Sequence, residues 1–259
     1  MRRLWLGLLL IAGWGGMPVQ AQEPRALIYT RNGPTLNGTK GFVHGNIATC
    51  VAVLQQLGKD NGIVMDVSAD PKVFSGENLK KYRAVIFANS NNQAFDTADQ
   101  KAAFQQFIHN GGGFVGIHSA SGSERDNEWF WALLGGTFKK HPKLQPFTIK
   151  VVDRQHPATA HYPQATFRWE DECYFLEKMP ADLQVLLAAD LSTLDFSEKM
   201  KLHDPKFGPD HPLAWCHEFE GGRSFYTALG HKNEYYNDPL FRKHLLGGIQ
   251  WTMKLEKTK

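Results

Sequence analysis

Apolar residues follow two alternating rhythms along the first half of the chain, short unbroken runs and stretches with helical spacing. Ala26 to Thr30 predicts a first strand, and Ile47, Val51, Leu54 and Leu57 then recur at helical spacing between Asn46 and Gly58. Val64 to Val67 predicts a second strand, Gly76 to Tyr82 a short helix, and Ala84 to Ala88 a third strand. Thr97 followed by Gln100 makes a capping box for a helix reaching Asn110, with Phe104, Phe107 and Ile108 as its inward face. Gly111, Gly112 and Gly113 then turn the chain into Phe114 to Ile117, a run suited to a strand covered on both faces, and His118 stands at its carboxyl end. This alternation predicts an α/β fold with a mainly parallel central sheet and helices on both faces.

The rhythm changes after a further predicted helix, Ser123 to Leu134, closed by Gly135 and Gly136 and followed by a loop from Thr137 to Pro142. Phe147 to Val152 alternates like a half-buried strand, Phe167 to Phe175 mixes aromatics with Glu170, Asp171 and Glu172, and Val185 to Ala188 is apolar throughout. Beyond a polar, turn-rich stretch from Lys201 to Asp210, Leu213 to Phe219 and Ser224 to Leu229 flank Glu220-Gly221-Gly222-Arg223 as a hairpin, and Pro239 to Met253 has the spacing of a closing helix. No linker of Pro, Ser and Gly sets this half apart. It reads as an antiparallel extension of the same sheet, within one domain spanning residues 22–259.

Residues 1–21 are set aside from that domain. Arg2 and Arg3 precede an apolar run from Leu4 to about Ala12, and Val19-Gln20-Ala21 suits a processing site, so a signal peptide and a periplasmic or secreted mature protein are expected. No later apolar run approaches the roughly 20 residues that cross a bilayer, and no membrane anchor is expected. With 29 basic against 26 acidic residues and no Lys/Arg tract, nothing in the charge favours nucleic acid. The balance directs attention to small molecules or carbohydrates and leaves homo-oligomerisation open. Cys50, Cys173 and Cys216 are widely spaced without a CxxC pair, which allows at most one disulfide and equally three free buried thiols.

Four histidines, His44, His118, His141 and His231, fall in loops that a doubly wound sheet gathers at one rim. Imidazole there can bind a first-row metal, exchange protons near neutral pH or hydrogen-bond hydroxyl groups. The other histidines lie beside prolines, at a helix end or in peripheral positions and read as structural. In the acidic cluster, strand alternation allows either Asp171 or the pair Glu170 and Glu172 to face the rim, as general base or metal-supporting carboxylate. The glycine stretch matches neither GxGxxG nor GxxxxGK[ST], and there is no GxSxG elbow.

Four stretches in order, GGGFVGIHSA ending in Ser119-Ala120, GGTFKKHP around His141, HP at His156 before Asp171-Glu172-Cys173-Tyr174, and GRSFYTALGH ending at His231, resemble the trehalose-utilisation ThuA-like family. The resemblance spans about residues 25 to 253. It implies a flavodoxin-like three-layer sandwich of the class I glutamine amidotransferase type. It also implies that His118 stands where those amidotransferases carry a cysteine nucleophile, so that amidotransferase chemistry is absent. Metal-assisted cleavage or isomerisation of a keto-glycoside or disaccharide is the implied activity. A divalent ion, with zinc the candidate, would be held among His44, His118, His141 and His231, while His118 and Asp171 or Glu172 act in catalysis and Asn91, Gln93, Trp129 and Tyr236 contact the sugar. A hydrolase with paired carboxylates and a carbohydrate-binding protein without turnover are the competing expectations.

Overall fold

Among the described residues, nine strands form one sheet whose parallel half is built almost entirely from unbroken apolar runs. A computed structural model describes residues 23–255, so the expected signal peptide lies outside the described residues. The elements in chain order are β1 (Arg25–Tyr29), α1 (Ile47–Asp60), β2 (Val64–Ser68), α2 (Gly76–Leu79), β3 (Ala84–Ala88), α3 (Ala98–His109), β4 (Gly113–Ile117) and α4 (Glu128–Leu134). There follow β5 (Thr137–Lys140), β6 (Gln145–Val151), β7 (Thr166–Asp171), β8 (Phe175–Glu177), β9 (Gln184–Asp190), α5 (Lys199–Leu202), β10 (His211–Phe219), β11 (Gly222–Thr227) and α6 (Pro239–Thr252). The sheet runs β2-β1-β3-β4-β11-β10-β9-β6-β7, with parallel pairing from β2 to β11 and antiparallel pairing from there to β7. This is the expected mainly parallel core with an antiparallel extension, consistent with a flavodoxin-like α/β fold.

The strand pleat assigns the helices to faces. Every residue of β3 and β4 is buried, because both faces are covered. Phe87 and Phe114 point to one side, where their rings meet Phe104 of α3 and Phe130 of α4. Val115 and its β11 partner Phe225 point to the other, where α6 presents His244 and Gly248. The glycines at the head of β4 allow this layering. Gly111 has φ +89, a conformation most residues avoid, and a Cβ on Gly113 would come within 2.5 Å of the Thr252 carbonyl at the end of α6.

The antiparallel half does not continue flat. Trp169 of β7 packs on Tyr235 and on Phe241 of α6, with ring centroids 5.0 and 5.9 Å apart, so the far edge of the sheet curls back over α6.

Three expectations need correction. Thr137–Lys140 is a strand, not a loop, because it pairs with Phe175–Glu177 in a separate two-stranded ribbon whose partner is remote in sequence. The helix expected from Ser123 begins only at Glu128, capped by Asn127. The preceding residues are held elsewhere: Ser123 bridges to Asn92, and the Glu124 carboxylate is buried against Lys101 and the N–H groups of Ala94 and Phe95. Within the polar Lys201 to Asp210 stretch, the chain begins inside the short helix α5 and continues in turns. All three cysteines are free and buried. No helix among the described residues is long and apolar enough to cross a membrane.

Two predictions follow from this packing. Gly113→Ala should cost about 1–3 kcal/mol by forcing α6 off the sheet, whereas Gly76→Ala, with open space around it, should stay within about 0.5 kcal/mol; denaturation midpoints compare them. Burial lowers the fully enclosed His244 to about 3, so as pH falls the unfolded chain takes up its proton first. Stability should then fall by about 1.4 kcal/mol per pH unit from about pH 6.5 down toward the folded value. His244→Asn keeps an amide donor for the Ala158 carbonyl, the present partner of Nδ1, and should make the slope shallower in denaturation at a series of pH values. Part of the slope should remain, since burial also lowers His211, to about 4.

Candidate functional site

The strand order reverses at β1, which lies between β2 and β3, and ligand sites of open α/β sheets form at such switch points, beyond the carboxyl ends of the strands. The loops that leave β1, β3, β4 and β11 there carry His44, Asn89 to Gln93, His118 and His231. Backbone strain collects at the same rim: Asn89, Asn92, His118 and Glu124 all have φ between +49 and +60. Left-handed geometry costs roughly 1–2 kcal/mol per ordinary residue and persists only where the surroundings impose it. At His118 it turns the side chain out of the strand line and starts a short 3₁₀ turn through Gly122.

His44, His118, His231 and Glu172 converge, each offering a ligand atom, and all four atoms lie within 4.8 Å of one another. The imidazole of His118 is fully buried; its Nδ1 donates to the Ala228 carbonyl at 2.7 Å, which directs the Nε2 lone pair inward. Tyr174 stacks on that ring at 4.4 Å and its hydroxyl donates to Nε2 at 3.0 Å. Burial, with the neighbouring imidazoles adding to it, lowers His44 to about 3 and keeps it neutral. His44 Nδ1 is buried without a hydrogen-bond partner, an arrangement that ordinarily costs about 1–3 kcal/mol.

The Glu172 carboxylate is the hub of the charges. Its Oε2 lies 3.1 Å from His231 Nδ1 and 3.5 Å from His118 Nε2, and its Oε1 lies 3.6 Å from His141 Nδ1. Burial alone would raise this carboxyl, but the close imidazole of His118 and the hydrogen bond from His231 outweigh it and hold it well below the usual carboxylate range. The hydrogen bond to Glu172 in turn raises His231. Three neutral-capable imidazoles and one carboxylate form a donor set suited to a first-row divalent ion, and the orphaned His44 nitrogen is what such an ion would satisfy.

Asp171 plays a different part from its neighbour. It is fully buried and accepts three N–H groups, from Gly230 at 2.9 Å, Trp169 Nε1 at 3.1 Å and Glu172 at 2.9 Å. Burial pushes its carboxyl up, against the pull of His118 and these donors. Asn46 works from the opposite side, its amide donating to the carbonyls of Gly230 and His231. Nothing in the sequence distinguished Asn46 from a helix-capping residue, and it makes no such cap.

The remaining expected residues divide. His141 is outside the converging group and linked to it through Glu172; its Nδ1 also donates to the Pro142 carbonyl at 2.7 Å, leaving Nε2 as the basic atom. Asn91 lines both of two adjoining cavities, and Gln93 lines the outer one. Tyr236 is wholly buried; it accepts from Asn89 and donates to the Gly230 carbonyl, so it braces the loop and does not face a cavity. Trp129 is a correction: its indole donates to Glu220 in the β10–β11 turn, at the amino end of the parallel strands, and its ring packs on Phe104 and Phe219. A helical position among aromatics gave no means of telling those two ends apart. Glu170 likewise turns outward to Lys232.

The inner cavity, about 280 Å³, is lined by His44, His141, Glu172, Tyr174, Ser119 and Arg125 among others. Glu172 is the one carboxylate in that lining, so a pair flanking a scissile bond, as hydrolysis by two carboxylates requires, is not present in it. A larger apolar groove lies at the other end of the sheet, beside Leu79, Phe107 and Met253, away from these groups.

Known proteins resemble the chain over most of its length. A sequence profile of the family described as ThuA, trehalose utilisation, matches residues 35–252. A ThuA-like protein from Bacteroides uniformis has a TM-score of 0.68 at 24% identity, over 93% of this chain and 95% of that one. Another from Parabacteroides merdae has 0.69 at 18%, over 92% of each. A β-galactosidase from Rahnella sp. R3 matches with 0.55 at 16%, over 91% of this chain but only 32% of its own, a likeness of fold alone. No curated protein matches the chain.

Replacing Asp171 by Asn would set an amide NH₂ against the N–H groups of Gly230 and Trp169. A loss of about 1–3 kcal/mol is expected from the unsatisfied buried groups, against about 0–1 kcal/mol for Glu170→Gln, which breaks only an exposed pair; chemical denaturation distinguishes them.

Proposed function

The chain belongs to the trehalose-utilisation (ThuA) family, and from that premise, with its carbohydrate-related role, we propose an exported carbohydrate-processing enzyme whose cleft takes a divalent ion, zinc the candidate, and a keto-glycoside or disaccharide. The observation that carries the reading is the convergence of His44, His118, His231 and Glu172 beneath a cavity. When bound, such an ion polarises a carbonyl or activates water. The export part rests on the basic and apolar pattern of the first 21 residues.

The chain's own groups supply orientation and proton handling. The Ala228 carbonyl fixes the His118 tautomer, and the clasp of Asp171 and Asn46 on Gly230 and His231 holds the fourth loop in register. His141 presents Nε2 at the cavity wall as the acid or base for a sugar C–H or hydroxyl, since Nδ1 is engaged with Pro142. Glu172 serves as ligand, the metal-supporting one of the two roles that the sequence left open for it. Tyr174 covers the His118 ring and closes the floor to solvent.

Calorimetric titration of chelator-treated protein with zinc tests the reading. A single-site isotherm is expected, with affinity lowered at least tenfold in His44→Ala and His231→Ala and an increase in melting temperature that these variants lose. Oxidised and unoxidised disaccharides, followed by mass spectrometry, should give product only with the loaded protein, and His141→Gln should slow turnover without weakening zinc binding. Absence of zinc, cobalt and manganese binding by the folded protein would refute the proposal.

A further inference from the structure

Arg125 stands where the two cavities meet. The inner cavity and an outer one of about 320 Å³ share Phe42, Asn91 and Arg125 in their walls, and together they reach the scale of small-molecule sites, roughly 300–1,000 Å³. Its side chain is positioned by two neighbours: Nε donates to the Gly122 carbonyl at 3.1 Å and Nη2 sits over Gly122, where a Cβ would approach within 2.9 Å, while the guanidinium lies 5.3 Å from the Phe138 ring centre. No carboxylate forms an ion pair with it among the described residues, in contrast to Arg25 and Arg31, which pair with Asp66 and Asp96. The acids around it are otherwise placed, and Glu172 across the inner cavity faces the histidines. Glu124 is bound to Lys101, and Asp126 belongs to the wall of the outer cavity.

Two further donors in these walls are also unmatched. Ser119 Oγ, in the inner wall, and Asn92 Nδ2, in the outer one, are buried without hydrogen-bond partners. A planar guanidinium held in place with both terminal nitrogens uncommitted, beside buried donors that lack acceptors, recognises an anionic, oxygen-rich group through paired hydrogen bonds.

We infer that the substrate is an acidic glycoside, with a carboxylate gripped by Arg125 at the junction, one sugar unit in the inner cavity and the other in the amide-lined outer one. The inference rests on the carbohydrate reading of the cleft, and it adds a charge to the substrate class. Arg125 is a specificity-determining residue in this arrangement, and Ser119 supports it.

D-Glucuronate and D-glucose differ by that carboxylate, and their binding can be compared by calorimetry and thermal shift on zinc-loaded and on chelator-treated protein. Glucuronate should bind at least tenfold more tightly than glucose. Arg125→Gln should bring glucuronate binding down to the level of glucose, and Arg125→Lys should retain part of the preference, since a point charge replaces the planar fork. Equal affinity for the two sugars, binding of neither, or a preference that survives in a folded Arg125→Gln protein would overturn the inference. If zinc binds and the sugars are not distinguished, the metal reading stands and this one fails. If zinc does not bind but the Arg125-dependent preference remains, the outcome is reversed.

Discussion

The candidate site depends on a buried carboxylate that joins two distant parts of one sheet. β7 and β11 are four positions apart in the sheet order, about 19 Å on a flat sheet at roughly 4.8 Å per strand. Yet Asp171 at the end of β7 accepts the N–H of Gly230, just beyond β11. The contact exists because the antiparallel half curls over α6, with Trp169 seated on Tyr235 and Phe241. Ring packing supplies favourable burial, and the carboxylate, satisfied by three N–H groups, sets the registration. Glu172, the next residue, is thereby delivered to the histidines. The extension thus belongs to the site and is not an accessory to the parallel core.

Much of the parallel half was legible in the sequence because its signals are local. Apolar runs marked β1, β3 and β4, the Thr97 and Gln100 capping box marked the start of α3, and His118 was recognisable as the residue that a buried strand delivers to its carboxyl end. The antiparallel half was less legible because its signals are tertiary. Thr137–Lys140 is extended only by virtue of Phe175–Glu177, and the start of α4 is displaced by the interactions of Glu124, which no periodicity announces.

The site residues divide along the same line. His44, His118 and His231 were identified as loop residues of a doubly wound sheet, and the sheet brings them together. Strand alternation offered Asp171 or its two neighbours, but the strand stops at Asp171. Beyond that point the alternation no longer applies, and Asp171 and Glu172 both reach the rim, one as a brace and the other in the cluster. Asn46 and Arg125 carry no pattern of their own, and Tyr174 entered only as the end of a family-like stretch; only the closure of the fold makes them neighbours of the histidines.

The position of β4 between β3 and β11 also bears on the birth of the protein. Its β3 edge is paired by chain that has already been made, whereas its other edge must wait for Gly222–Thr227, after the entire antiparallel half. At about 5–20 residues per second that interval is on the order of 5–20 s. During it an apolar strand with an unpaired edge is open to other chains, a recognised route to aggregation. Gly113 and Gly116 lower the intrinsic strand-forming tendency of that segment. Gly113, which lets α6 approach the finished sheet, therefore also makes its central strand a poorer template while it is incomplete.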